Sequence, residues 1–250
     1  MINKATLGTF VSKPETFARA GGELGAGCFG KVSEAVIPGM VVKTVENFWN
    51  DGWFPWALYC LKHQGETGIP TIYALRLDFT EGKLWALMEC LSEVTWDDHT
   101  PWMQVGRESF PYRVRAVFGR RKAMPAHLTA LMATLPDQGL RVDLHRGNYM
   151  KRGQKLVMTD PFTLTYDDMW LDRSGMEGTT VALKWARQTL DTLLPEPDPR
   201  VIVVGTPEER LTVEQERDAA EKAALEADRK ALDDLKAELA KLRAEAIGLA

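Results

Sequence analysis

A run of glycines flanked by strand-forming residues on both sides leaves the backbone few options. Residues 23–45 read ELGAGCFGKVSEAVIPGMVVKTV, with Gly25, Gly27, Gly30 and Val32 in the pattern G-x-G-x-x-G-x-V. Glycine permits the tight turns that other residues resist, and it lets backbone N–H groups approach an anion closely. In a dinucleotide-binding unit such a run follows a strand and opens a helix. Here β-rich sequence follows as well, which suits a loop between two strands of a hairpin. Pro38-Gly39 then marks a second turn before the strand-like Val41-Val42-Lys43-Thr44-Val45.

The rest of the chain divides by pattern. Residues up to about 92 read mostly as strands. TIYALRLDF and KLWALMECL form a pair around the turn residues Thr80, Glu81 and Gly82, and the aromatic FWNDGWFPWALYCLKH holds a short helix interrupted by Gly52 and Pro55. Residues 93–195 are more helical. Leu128, Leu131, Met132 and Leu135 share one helical face that ends near Gly139, and a second helix runs through TTVALKWARQTLDTLLP to Pro195. Four prolines in PEPDPRVIVVGTP mark a linker at 196–207 with a strand-prone centre. Residues 208–250 follow as a long helix rich in Ala, Glu, Lys and Leu. Leu232, Leu235, Leu239, Leu242, Ala246 and Leu249 form an a/d seam that fails upstream at Asp218, Glu221 and Asp228. A weak coiled coil, a helix laid on a partner and a solvated helix all fit that pattern. The fold expected is therefore α+β with a helical tail.

Composition narrows the setting. The net charge of −4 lies entirely in the tail from residue 207 onward, and the remainder is neutral, so no broad basic field for nucleic acid exists. GRRK at 119–122 is a small basic spot in a loop. No apolar run reaches the roughly 20 residues that span a bilayer, and the N-terminus lacks a signal-peptide core. Cys28, Cys60 and Cys90 form neither a disulfide framework nor a zinc pattern, which points to a cytoplasmic setting.

Four polar segments make chemical sense together. The glycine hairpin (Gly25, Ala26, Gly27, Gly30) would cover phosphates, and Val32 would pack on a purine. Lys43, one hairpin later, is a cation in a β-branched strand and would bind phosphate. In RVDLHRGNYM, Asp143 can accept or orient a hydroxyl proton, and Asn148, five residues on, can offer a carbonyl oxygen to magnesium. In KLVMTDPF, Asp160 follows an apolar strand 17 residues beyond Asp143 and can ligate the same ion. Each segment is common alone. D-x-x-x-x-N by itself is most often an Asx-turn loop. Their order, with strand-type flanks, is much rarer.

In that order the segments resemble the protein-kinase fold over roughly residues 20–190. The resemblance implies a bilobal architecture, with a β-rich N-lobe at 1–92 and a helical C-lobe at 93–195. It implies ATP and Mg2+ as cofactors and Met88 as gatekeeper, with the Glu89 carbonyl and Leu91 backbone meeting adenine. Asp143 and Lys43 would be catalytic, and Asn148 and Asp160 would hold metal. The departures are specific. Arg141-Val142-Asp143 replaces His-Arg-Asp, and Asp160-Pro161-Phe162 replaces Asp-Phe-Gly. No Ala-Pro-Glu follows, which implies a constitutively formed site. Where a helix acid should pair with Lys43, position 62 is lysine, and Asp51 and Glu66 are the acids nearby. DLHRGN is similar to the loop of aminoglycoside and choline phosphotransferases. The compact pattern as a whole resembles the early serine/threonine kinases of short-tailed lytic bacteriophages, the autographivirus group. That resemblance implies host proteins as substrates and the host cytoplasm as the setting. The tail would offer a homodimer or partner contact. A kinase-fold protein that binds a host target through the tail is the rival reading, and small-molecule phosphotransfer is a third.

Overall fold

The computed structural model describes residues 17–26, 30–94, 140–142, 146–153, 155–164 and 176–248. The glycine hairpin forms as β1 (Arg19–Ala26) and β2 (Gly30–Ala35), antiparallel, with Gly25 opposite Val32 and Ala26 opposite Lys31. Gly39, at φ 77°, turns the chain into β3 (Met40–Glu46). The predicted pair beyond it is β4 (Ile72–Asp78) and β5 (Lys83–Glu89). They lie in one sheet in the order β1-β2-β3-β5-β4.

Strand register decides which side chains share a face. Val41, Lys43 and Val45 of β3 pair with Met88, Ala86 and Leu84 of β5, so these six side chains lie on the same side of the sheet. Against that side packs α1 (Trp53–Lys62), buried from Trp53 through Leu61. A helix that is apolar all round must sit inside the molecule. Pro55 does not interrupt it, because a proline in the first turn lacks an N–H that has no intrahelical acceptor anyway. The opposite face of the sheet is covered more thinly, by Phe17, Ala35, Val42, Ala74 and Leu87.

Past residue 140 the described chain forms small sheets and two helices. β7 (Leu140–Val142) pairs with β10 (Phe162–Leu164), while β8 (Tyr149–Arg152) and β9 (Lys155–Met158) form a hairpin joined by β6 (Ser92–Glu93). In α2 (Met176–Leu193), Ala182, Leu183, Trp185, Ala186, Leu190 and Leu193 are buried at helical spacing, and Trp185 meets Phe54 of α1 edge-on at 6.2 Å between centroids. The architecture is thus a mixed one, with a sheet-rich N-terminal region and a helical C-terminal part. The expected helix around Leu128–Leu135 lies outside the described residues.

The proline-rich segment at 196–207 returns to the sheet. Its strand-prone centre is β11 (Val201–Val204), which runs parallel to β4 as a sixth strand, with Leu75 N–H donating to Arg200 O and Phe79 N–H to Val204 O, both at 2.8 Å. The chain then enters α3 (Pro207–Gly248) through a reciprocal cap. Thr206 N–H donates to Glu209 Oε2 at 2.9 Å, and Glu209 N–H donates to Thr206 Oγ1 at 3.2 Å. Arg210 anchors the first turns: it donates to Thr80 O at 2.7 Å, pairs with Glu214 and lies over the Trp49 ring. Residues 215–237 and Leu239 are all exposed. No helix among the described residues is long and apolar enough to cross a membrane.

Candidate active site

Lys43 and Asp160, 117 positions apart in sequence, meet at 2.9 Å between Nζ and Oδ2. Two elements bring them together. β3 points Lys43 toward α1, as its register with Ala86 requires. The β8–β9 hairpin delivers Thr159-Asp160 to the same spot, and Thr159 N–H donates to Asn148 O at 2.8 Å. Asn148 closes a single 3-10 turn (Arg146–Asn148) and is buried, so its loop and Asp160 lie side by side. The Lys43 side chain is 12% exposed and that of Asp160 is 33% exposed, so the pair is shielded at the lysine and meets solvent at the carboxylate.

Against the lysine lies Trp53, the first residue of α1. Its ring faces the Lys43 ammonium at 4.3 Å, and its Nε1–H donates to Thr159 O at 2.8 Å. Its backbone N–H donates to Asp51 Oδ1 at 3.0 Å. Asp51 is itself buried. Burial pushes its carboxyl up to about 6; the Lys43 ammonium pulls down, the Asp160 carboxylate pushes up, and the Trp53 N–H pulls down. Asp51 is therefore the acid on the α1 side that feels Lys43. Glu66, the other candidate, is engaged elsewhere, 2.8 Å from His63 Nδ1. Lys62 lies exposed at the far end of α1, because the helix presents its start, not its end, to Lys43.

The other predicted site residues fall as follows. Gly25 and Ala26 are exposed in β1, and Gly30 is half-buried. A Cβ on Gly30 would stand 3.1 Å from Thr44 O and 3.2 Å from Lys43 Cε, so the absence of a side chain there leaves room for Lys43. Val32, directly across from Lys43, packs against the core on the same face. Met88 is buried at the end of β5, and Leu91 is half-buried just beyond it. Glu89 does more than lend its backbone: its carboxylate receives Arg152 of β8, with Nε to Oε2 at 2.8 Å, and the Thr71 N–H at 2.6 Å. That tie fixes the β8–β9 hairpin to the end of the sheet, where Met158 N–H also donates to Gly68 O at 2.8 Å. Gly27 and Asp143 lie outside the described residues.

Two groups escaped the reading of the sequence. Trp53 lies in an aromatic run where every tryptophan looks like core. The Glu89 carboxylate pairs with a residue 63 positions away, which no local pattern announces. Asp51 carried the usable signal, an acid two residues before an apolar helix.

Asp160 and Asn148 offer oxygen donors of the kind magnesium takes, and a site of this kind leaves the remaining positions to phosphate and water. Lys43 is a compact cation paired with Asp160. No protein-family model matches the chain, and no curated protein matches it. Among solved structures it is similar to a Haemophilus somnus 129PT protein assigned as fructosamine-3-kinase, at 13% identity over 78% of this chain and 80% of that one, with a TM-score of 0.30.

Proposed function

We propose that this chain transfers the γ-phosphoryl group of ATP to a hydroxyl, with serine and threonine of proteins as acceptors. The observation that carries the proposal is the meeting of Lys43 and Asp160 at 2.9 Å beside the Asn148 turn, with Gly30 of β2 against the Lys43 side chain. A strand lysine and a post-strand aspartate brought together from such a distance suit a triphosphate and its metal better than they suit surface pairing.

In this reading the sheet with α1 is the smaller of two lobes, and residues 89–91 link it to the larger. ATP with magnesium supplies the transferable phosphoryl group and the neutralising positive charge. Backbone N–H groups of Gly25, Ala26, Gly27 and Gly30 cover phosphate oxygens, and Val32 packs on the base. The Glu89 carbonyl and the Leu91 backbone bind the base edge. Lys43, seated on the Trp53 ring, would hold the phosphates, and Asp160 with Asn148 would hold the magnesium ion. Asp143 orients the acceptor hydroxyl and takes its proton. Positioning and electrostatics do most of the work in such a transfer, because its transition state is loose. Acceptors in host proteins would follow from the phage resemblance, and the exposed leucines of α3 offer a surface for a partner or a second copy.

A second reading is transfer to a small molecule, favoured by Asp143-Leu144-His145-Arg146-Gly147-Asn148 and its likeness to the aminoglycoside and choline phosphotransferase loop. One incubation with γ-labelled ATP, magnesium and a bacterial lysate separates the two. Labelled protein bands that vanish in Asp143→Asn support protein phosphorylation. Label confined to small molecules supports the second reading, and no label from the folded wild type overturns both.

A further inference from the structure

The helix that faces Lys43 contains no acid: α1 reads WFPWALYCLK. The lysine's ammonium meets the Asp160 carboxylate and the ring of Trp53. We infer that Trp53 is the positioning residue that sets both Lys43 and the Thr159–Asp160 segment for transfer, doing with an indole what a helix carboxylate would otherwise do. The inference rests on the phosphotransfer reading and adds to it a residue whose contacts span the site.

The geometry gives Trp53 three separate contacts. Its ring face stands 4.3 Å from the Lys43 ammonium. An indole attracts a cation there through its quadrupole, most strongly when the pair is shielded from water, and the Trp53 side chain is fully buried. The ring N–H holds the Thr159 carbonyl at 2.8 Å, one residue before Asp160. The backbone N–H is fixed at 3.0 Å by Asp51, whose carboxyl adds a counter-charge for Lys43 from the same side. A single rigid side chain thereby spans the lysine strand, the metal-side segment and the start of α1. Two stiff torsions and a buried ring keep these contacts in register. With Asp160 engaged by metal, the ammonium would still keep the ring and the Asp51 field.

Packing alone would predict something different for a conservative change. Trp53→Phe keeps an aromatic face under Lys43 and most of the volume, but loses the ring N–H. The expected result is an ATP Kd within about twofold of wild type, with kcat lowered about tenfold, the size expected for one hydrogen bond lost near a reacting group. Trp53→Leu removes the face as well. Acetylation of Lys43 by acetic anhydride, read by peptide mass spectrometry, should then rise about fivefold or more over wild type as the ammonium loses a contact worth that factor. Trp53→Phe should leave the labelling near wild type. Circular dichroism melts establish that each variant is folded, and the phenylalanine variant decides the matter where the leucine variant is not. Wild-type kcat in a folded Trp53→Phe, or Lys43 labelling unchanged in a folded Trp53→Leu, overturns the inference. A wild type that transfers no phosphate defeats the phosphotransfer reading and the kcat arm with it. The labelling arm still decides whether Trp53 holds Lys43.

Discussion

Asp51 is a carboxyl group caught between burial and a cation. It lies 7% exposed, and desolvation raises it to about 6 from an ordinary 3.8, against the pull of Lys43 and with the push of Asp160. A carboxyl raised by folding holds its proton more tightly in the folded chain than in the unfolded one. Between pH 4 and 6 the unfolded state therefore gives up its proton first, and stability falls as the pH climbs through that window. The loss amounts to about 3 kcal/mol, since each tenfold gain in proton affinity on folding is worth about 1.4 kcal/mol. Asp51→Asn keeps an acceptor for the Trp53 N–H and removes the charge. It should be more stable than wild type by up to about 3 kcal/mol at pH 7.5, with the advantage gone below pH 4. Urea denaturation at pH 4 and pH 7.5 measures this, and equal gaps at both pH values would mean that Asp51 carries no buried charge. Lys43→Met removes the opposing cation, so the window should extend upward in pH. The same variant should lower phosphoryl transfer by about a hundredfold or more, as loss of a charged phosphate contact in a preorganised site does, and a steady-state rate assay reads it directly.

The helix α1 is buried from Trp53 through Leu61, and one missing atom accounts for its seat. Gly52 has an ordinary helical φ of −62°, so the backbone does not require glycine there. The neighbour does. A Cβ at 52 would stand 2.6 Å from Phe162 O and 2.9 Å from Thr163 N, both in β10. Gly52→Ala should therefore cost about 1–3 kcal/mol by pushing α1 off β10, and should lower transfer as well, because Trp53 is the next residue. A thermal melt alongside a rate assay checks both, and full stability in the alanine variant would show that the approach of α1 to β10 has slack. At the other end of the chain, Thr206→Ala should cost about 1 kcal/mol by breaking the reciprocal cap of α3, measured by denaturant unfolding. Thr206 with Glu209 three residues on is a helix-start signature that the sequence states openly. The strands β2 to β5 were equally readable, since β-branched runs between turn residues have few other fates. The seat of α1 was not readable. Gly52 and Pro55 look like breakers in isolation, and only the carbonyl of Phe162, 110 positions on, explains the glycine. The pairing of β11 with β4 was hidden for a related reason. Parallel partners far apart in sequence share no turn that would name them.

At the scale of the whole molecule, the C-terminal region does two different things within one helix. β11 covers the outer edge of β4, which would otherwise present the free N–H groups of Leu75 and Phe79 to any passing strand. The first turns of α3 then cover Trp49 through Arg210, just ahead of Asp51 and α1. From residue 215 to 237 the helix touches water on all sides, with Leu225, Leu232 and Leu235 between half and two-thirds exposed. The near part thus belongs to the sheet and the far part is a surface, and two truncations should separate them. A chain ending at Arg217 retains β11, the cap and the Arg210–Glu214 pair. Its melting temperature should stay within about 3 °C of the full chain, because surface residues add little to stability, and its transfer rate should change less than about twofold if the far helix serves only partners. A chain ending at Leu194 loses the sixth strand. It should melt at a clearly lower temperature and scatter light in proportion to its concentration, as exposed edges pair between molecules. Should the chain ending at Arg217 fold normally yet lose protein phosphorylation while still hydrolysing ATP, the far helix would be the arm that brings the acceptor in. The exposed leucines would then mark the substrate side of the enzyme, not a separate binding activity.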